Sequence, residues 1–373
     1  MSMSALVRKS PSIKKGPQAL QGMKVGALLK VLARNDFAVD VQCLGRLAHL
    51  LVLGVFNSVF GAAETLFNGR KIRCSHIDHP ILFIIGHWRS GTTHLENLLT
   101  LDSRFSYATA YQTMFPHHCL YTQNAHFVFD RIAPKKRPMD NVSFAAKAPH
   151  EDEFALAASA TISPYMRFLF PVTGDPGYSE IDMSKWSPEM RETWKDCFLE
   201  FLRKLTLSQD GRILLKSPPH LGRVAALVEM FPDAQFVHIV RNPYAVFSST
   251  RKLWLNTLAF SHLQIPDPEH IEELIFTWYI KLFELFERDR ALIPDGAFFE
   301  LKFEELEAQP VATLKRLYEA LSIPGFDDFE PSLKAYLDSI KNYQKNVHEL
   351  DPATKAKIAR RWGFNFQRYG YEI

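Results

Sequence analysis

The chain has 373 residues, 47% of them hydrophobic, which suits one large α/β domain with an extension and is too short for three domains. Forty-four basic residues against 41 acidic ones leave a net charge of +3; the chain as a whole is no polyanion binder, nucleic acid is disfavoured as the main partner, and any anion site must be built locally. The four cysteines, Cys43, Cys74, Cys119 and Cys197, form no C-x-x-C and no cluster with histidine, which reads as four reduced thiols and argues against a zinc site.

In chain order, residues 1–35 form a basic arm: Arg8, Lys9, Lys14, Lys15, Lys24, Lys30 and Arg34 all precede the first acid, Asp36. No apolar core follows Lys15 directly, so the arm is not a standard secretory signal. Residues 41–67 read as a helix. Leu47 to Ala63 carry no formal charge, at the lower edge of what spans a bilayer. Arg46, His49, Asn57 and Glu64 fall on one face, and Leu44, Ala48, Leu51, Val55, Val59 and Ala62 on the other. Such a helix can pack on the main domain or lie on a membrane surface, and fits a spanning role less well. Residues 1–79 are therefore an extension, and 80–373 the main domain. Reduced thiols and the missing secretory signal place the chain in the cytoplasm, with membrane association through 41–67 as a possible addition.

The main domain alternates strands and helices. Ile81–Ile85 is a buried parallel strand ended by Gly86, with a helix over 93–101. Further strands are predicted at 212–216, 234–240 and 297–301, with helices over 220–231 and 269–291. The fold class is α/β, a P-loop-like parallel sheet flanked by helices with an N-terminal helical extension. Residues 102–210 carry no comparable strand run and read as helices and loops.

Gly86-His-Trp-Arg89-Ser90-Gly91-Thr92-Thr93 has the glycine spacing of a Walker A loop. Gly91 lets the backbone approach an anion, and the N–H groups opening the next helix point at it. The Walker lysine is missing: Thr92 stands in its place and the basic residue is Arg89. That loop suits a single 5′ phosphate bearing one further charged group better than a triphosphate. A second anion site follows the strand at 234–240. Arg241 stands at its carboxyl end and Ser249 lies eight residues later in the following helix, so an arginine and a hydroxyl can clamp one phosphate.

These two motifs resemble those of the sulfotransferases that use 3′-phosphoadenosine 5′-phosphosulfate (PAPS). A basic residue before Ser-Gly-Thr-Thr is similar to their 5′-phosphosulfate loop, and Arg241 with Ser249 to their 3′-phosphate motif. Arginine in the loop resembles the bacterial-type and tyrosylprotein branches more than the cytosolic one. The segment Glu300–Pro310 and the tail from Tyr343 through Arg360-Arg-Trp-Gly-Phe364 continue the likeness, which covers about residues 80–373.

The resemblance implies sulfuryl transfer from PAPS, releasing adenosine 3′,5′-bisphosphate (PAP). The donor would be held by Arg89, Ser90, Gly91, Thr92, Thr93, Arg241 and Ser249, with Arg360 or Lys345 as possible helpers. Arg89 and the strand-end Lys216 would supply cations to the moving group. No Mg²⁺ is required, since there is no β,γ-phosphate pair to bridge. The acceptor hydroxyl needs a base. Three residues qualify: Glu151 and Glu153 in Pro149-His-Glu-Asp-Glu-Phe, and His220, four residues after Lys216. The acceptor is a small molecule, glycan or lipid alcohol, with His117, His118, Tyr121, Phe127, Tyr165, Phe168 and Trp254 as possible lining. A P-loop nucleotide kinase would need the absent Walker lysine. A non-catalytic PAPS- or glycan-binding protein would need neither Lys216 nor Arg89.

Overall fold

Leu-Phe-Ile-Ile at 82–85 carries no polar side chain, and a strand of that kind is stable only where both faces are covered. It forms β1 (Leu82–Ile85), with all four residues buried at the centre of the sheet. The computed structural model describes residues 19–132, 145–173, 178–340 and 350–373. Its other strands are β2 (Phe105–Tyr107), β3 (Arg212–Lys216), β4 (Gln235–Val240) and β5 (Phe298–Lys302), in the order β2-β3-β1-β4-β5 and all parallel. Ile84 lies opposite Lys216, and Ile85 opposite His238. The carboxyl ends of β1, β3 and β4 therefore meet at one edge. From β1 the chain runs to one side of the sheet and from β4 to the other, so the crevice between these two strands is the topological switch point where open α/β sheets bind ligands.

Alternate residues of a strand enter opposite layers. Phe83 and Ile85 join Phe236, Leu215, Trp194, Phe198 and Leu282 on one side. Leu82 and Ile84 join Leu95, Leu98, Val237, Leu301 and Leu317 on the other. The helix Pro188–Ser208 and the helix Pro268–Asp289 both contribute to the first layer. The stretch 102–210, read as mostly helices and loops, also contributes the short β2, which pairs with β3 at the sheet edge. Three residues are too few to display an alternation.

The N-terminal extension is α1 (Val25–Arg34) and α2 (Leu44–Cys74), longer than the predicted 41–67. Leu28, Val31, Leu32 and Leu50 enter the same core as β1. The helix α2 packs with its polar side inward. Asn57 and Glu64 are each 1% exposed, whereas Val55 is 52% and Val59 61% exposed. The small Gly54 and Gly61 on the same inward line let α1 and the residues before it approach closely: a Cβ on Gly54 would lie 3.0 Å from the Val25 backbone. Asn57 Nδ2 donates to the carbonyls of Gln21 (2.8 Å) and Met23 (2.9 Å), and its Oδ1 lies 3.1 Å from His118 Nε2. The Glu64 carboxylate accepts from the N–H of Leu120 (2.8 Å) and Tyr121 (3.0 Å) and pairs with the buried Lys204 at 2.8 Å.

This arrangement makes a direct prediction. Glu64→Ala strips a buried ammonium of its buried carboxylate and should cost about 3 kcal/mol, lowering the urea midpoint. Val59→Ala, on the outward face, should stay within about 0.5 kcal/mol. Equal midpoints for the two variants would contradict the inward polar face.

Candidate active site

The loop Gly86–Gly91 joins β1 to α3 (Thr92–Leu99). Its glycines are required by close approach. A Cβ on Gly86 would lie 2.7 Å from the Ile239 carbonyl oxygen, and one on Gly91, at φ 104°, would enter the Phe303 ring at 2.2 Å. The opening of α3 at Thr92 and Thr93 thus faces the switch crevice with unsatisfied N–H groups, as at any helix N-terminus. The Ser90 hydroxyl beside it is buried with no hydrogen-bond partner among the described residues. An anion seated there would satisfy these donors.

The second motif lies against the first. Arg241 follows β4, and Ser249 sits on the helix Pro243–Lys252, which Asn242 caps by accepting from the Tyr244 N–H at 2.9 Å. Arg89 Nε donates to Ser249 Oγ at 2.8 Å, and Arg241 Nη1 donates to the Arg89 carbonyl at 3.2 Å. The Arg241 guanidinium lies 4.3 Å above the ring of Phe303. One phenylalanine, at the start of the helix following β5, thus props both the loop glycine and the second arginine. The C-terminal helix Pro352–Tyr369 covers this region through Phe247–Trp362 and Tyr244–Phe366 ring contacts. Arg360 is exposed on that helix. Lys345 lies outside the described residues.

At the end of β3, Lys216 is 1% exposed. Its Nζ donates to Glu151 Oε1 at 3.0 Å and lies 3.4 Å from Glu96 Oε2 on α3. Glu151 also accepts from the Tyr165 hydroxyl, which in turn accepts from Trp88 Nε1 at 3.2 Å. The Glu151 side chain remains 16% exposed, so the pair opens toward solvent. Burial alone would raise the Glu151 carboxyl; the Lys216 ammonium, helped by hydrogen bonds from Tyr165 and Lys216, outweighs burial and holds it below its ordinary value. Burial and the same carboxylate push the Tyr165 phenol well up, so it stays a donor.

The three predicted bases therefore part company. Glu153 and Arg223 are both 0% exposed and make a paired contact, with Arg223 Nη2 donating to Oε1 at 3.0 Å and the Ser163 hydroxyl donating to the same oxygen at 2.5 Å. His220 is equally buried. It meets Asp152 at 2.7 Å and packs between Phe83 and Phe198. Burial would raise the Asp152 carboxyl, but His220 and the Ser217 hydroxyl hold it below its ordinary value. Of the three, Glu151 alone faces Lys216.

The proposed lining residues also divide. Tyr165, Phe168 and Trp254 stack in sequence, with ring centroids 4.4 Å and 5.4 Å apart, and continue through Trp278 to Trp88. All five are buried, and Tyr165 joins this aromatic cluster to Glu151. His117, His118, Tyr121 and Phe127 lie elsewhere. His118 bonds Asn57 of α2, and Tyr121 stacks on Phe67 of the same helix. His117 is half-buried, and desolvation of its ring lowers its pKa to about 3. Phe127 is on the exposed surface. Sequence reasoning missed Glu96, Trp88 and Phe303. For Glu96 a signal existed: it is the lone charge among Leu95, Leu98 and Leu99 on α3.

Comparison with known proteins identifies the family. A sequence model of the Sulfotransferase family matches residues 80–328. The omega-hydroxy-beta-dihydromenaquinone-9 sulfotransferases of Mycobacterium bovis and Mycobacterium tuberculosis are each 33% identical over 352 residues, covering 94% of this chain and 90% of theirs. Among solved structures, a Mycobacterium tuberculosis sulfotransferase superposes with a TM-score of 0.64 at 18% identity, covering 91% of both chains. A Mycobacterium avium sulfotransferase does so with a TM-score of 0.60 at 18% identity, covering 94% of this chain and 98% of that one. With a family match over two thirds of its length and a full-length relative at one-third identity, the chain belongs to the sulfotransferase family and is a sulfotransferase.

Proposed function

We propose that the enzyme takes its sulfuryl group from PAPS and delivers it to the hydroxyl of a lipid alcohol. The observation that carries this reading is the Lys216–Glu151 contact of 3.0 Å at the carboxyl edge of the sheet, beside two separate anion-binding motifs. PAPS differs from ordinary nucleotides in carrying a 3′ phosphate apart from its 5′ phosphosulfate. Arg241 and Ser249 suit the former; Ser90 and the N–H groups of Gly91, Thr92 and Thr93 suit the latter. Arg89, bonded to Ser249, links the two. The curated relatives act, by name, on a hydroxylated menaquinone derivative, and a lipid alcohol is the acceptor class this likeness suggests.

In this reading the acceptor oxygen attacks sulfur in line as the sulfur–oxygen bond to the 5′ phosphate breaks. The acceptor proton passes to Glu151, and Lys216 neutralises the charge growing on the departing phosphate oxygen. A Lys216 drawn toward the donor leaves Glu151 less stabilised as a carboxylate, which raises its basicity when a proton must be taken. Tyr165 and Trp88 fix its orientation. Glu153–Arg223 and Asp152–His220 brace the backbone on either side: Ser217, which follows Lys216, accepts from the Glu153 N–H at 2.9 Å and donates to Asp152 at 2.8 Å.

PAP should raise the thermal midpoint by mass action while ATP with Mg²⁺ should not; the reverse pattern would favour a kinase. Arg241→Ala should weaken PAP by about ten- to a hundredfold, the loss of a charged hydrogen-bonding partner, as read by calorimetry. Glu151→Gln should lower kcat by about 10²–10⁴-fold with PAP affinity retained, and should abolish the acid limb of kcat/KM, which in the free wild-type enzyme falls below the ordinary carboxylate range. Glu153→Ala should instead lower stability by about 3–5 kcal/mol, because Arg223 is left buried and unpaired. A kcat loss in folded Glu153→Ala as large as in Glu151→Gln would reassign the base.

A further inference from the structure

We propose that the outward face of α2 seats the enzyme on an anionic lipid bilayer, lying in the plane of the interface. Val52, Val55, Phe56, Val59, Leu66 and Phe67 are all more than half exposed. From Val52 to Val59 they recur at three- and four-residue spacing, Leu66 and Phe67 lie two turns further on the same face, and with Leu44 the stripe is about 35 Å long. Isolated exposed apolar residues are ordinary, but a continuous stripe of this length is not.

The charge on the page selects the occupant. Residues 1–77 hold eleven Lys or Arg against three acids, one of which, Glu64, is paired with Lys204; the remainder of the chain holds 33 basic and 38 acidic residues. The basic excess thus sits with the stripe. Arg70, Lys71 and Arg73 are exposed at its carboxyl end, and the basic arm precedes its amino end. Two copies joined through this face would bring like charge together, whereas an anionic membrane is complementary. Apolar insertion with basic contacts supplies the two signals that stable peripheral binding requires.

By length and composition alone, the helix could cross a bilayer. Its inward face decides against that. Leu50, Gly54, Asn57, Gly61, Glu64 and Ile72 are buried against α1 and the main domain along the whole helix, so spanning would carry folded polar structure into the hydrocarbon. Lying flat, α2 keeps its amino end tied to the main domain. Arg46 Nη1 donates to the His262 carbonyl at 2.6 Å, and His262 Nδ1 donates to the carbonyl of Phe168 at 2.9 Å. The amino end of the stripe is thereby tied to the aromatic residues beside Glu151.

The test is flotation of the full chain with phosphatidylcholine vesicles and with phosphatidylcholine vesicles containing phosphatidylglycerol, together with light scattering. It involves neither donor nor acceptor, so its failure leaves the proposed reaction untouched. Wild type should float with the anionic vesicles, less so at high salt. The double variant Val55→Glu, Val59→Glu should bind at least about tenfold more weakly with an unchanged unfolding midpoint, as expected for exposed positions. Absence of wild-type flotation, equal flotation of the variant, or a wild-type dimer that the variant dissociates would each overturn the proposal, the last assigning the face to a second copy.

Discussion

A buried ammonium at the end of a central strand is the constraint around which the site is arranged. Lys216 is withdrawn from water, and an isolated charge there would cost several kcal/mol. The fold answers with two carboxylates from different elements, Glu96 on α3 and Glu151 before the helix Glu153–Ala160. That answer ties the helix after the loop, the strand end and the segment before the helix Glu153–Ala160 to one point. The two fully buried pairs, Glu153–Arg223 and Asp152–His220, hold the flanking backbone and leave Glu151 as the carboxylate that meets Lys216. The proposed base and two structural pairs are thus built from three consecutive acids.

The anion side is organised on a similar economy of parts. Phe303 packs where a Gly91 side chain would be and carries the Arg241 guanidinium on its face. The loop's backbone and the second arginine are therefore positioned by one ring, and Arg89 joins them through Ser249. This explains why motifs about 150 residues apart in sequence form one continuous cationic crevice at the switch between β1 and β4.

Much of this was legible in the sequence because it depends on local chemistry. Gly86 and Gly91 follow an apolar run, Thr92 replaces a lysine, and Arg241 and Ser249 frame a strand-to-helix turn. What was not legible depends on distant partners. Neighbouring acids at 151, 152 and 153 look alike in sequence; Lys216, His220 and Arg223 decide their roles, and none is close in the chain. The orientation of α2 was hidden for the same reason. Asn57 and Glu64 share the inward face, whereas His49, read onto the same face, is exposed; hydropathy does not say which face meets the domain, and the polar face wins because Lys204, His118 and the amides of Leu120 and Tyr121 await it. The three-residue β2 was too short for any periodicity.

The central claim is that one crevice holds two phosphates at distinct sites with Lys216 between donor and acceptor. A crystal structure with PAP bound tests it most directly. The 3′ phosphate should lie on Arg241 and Ser249, and the 5′ phosphate over the amides of Thr92 and Thr93 within hydrogen-bond reach of Lys216 Nζ. A bisphosphate bound away from the crevice, or one whose 5′ phosphate makes no contact with Lys216, would contradict the account.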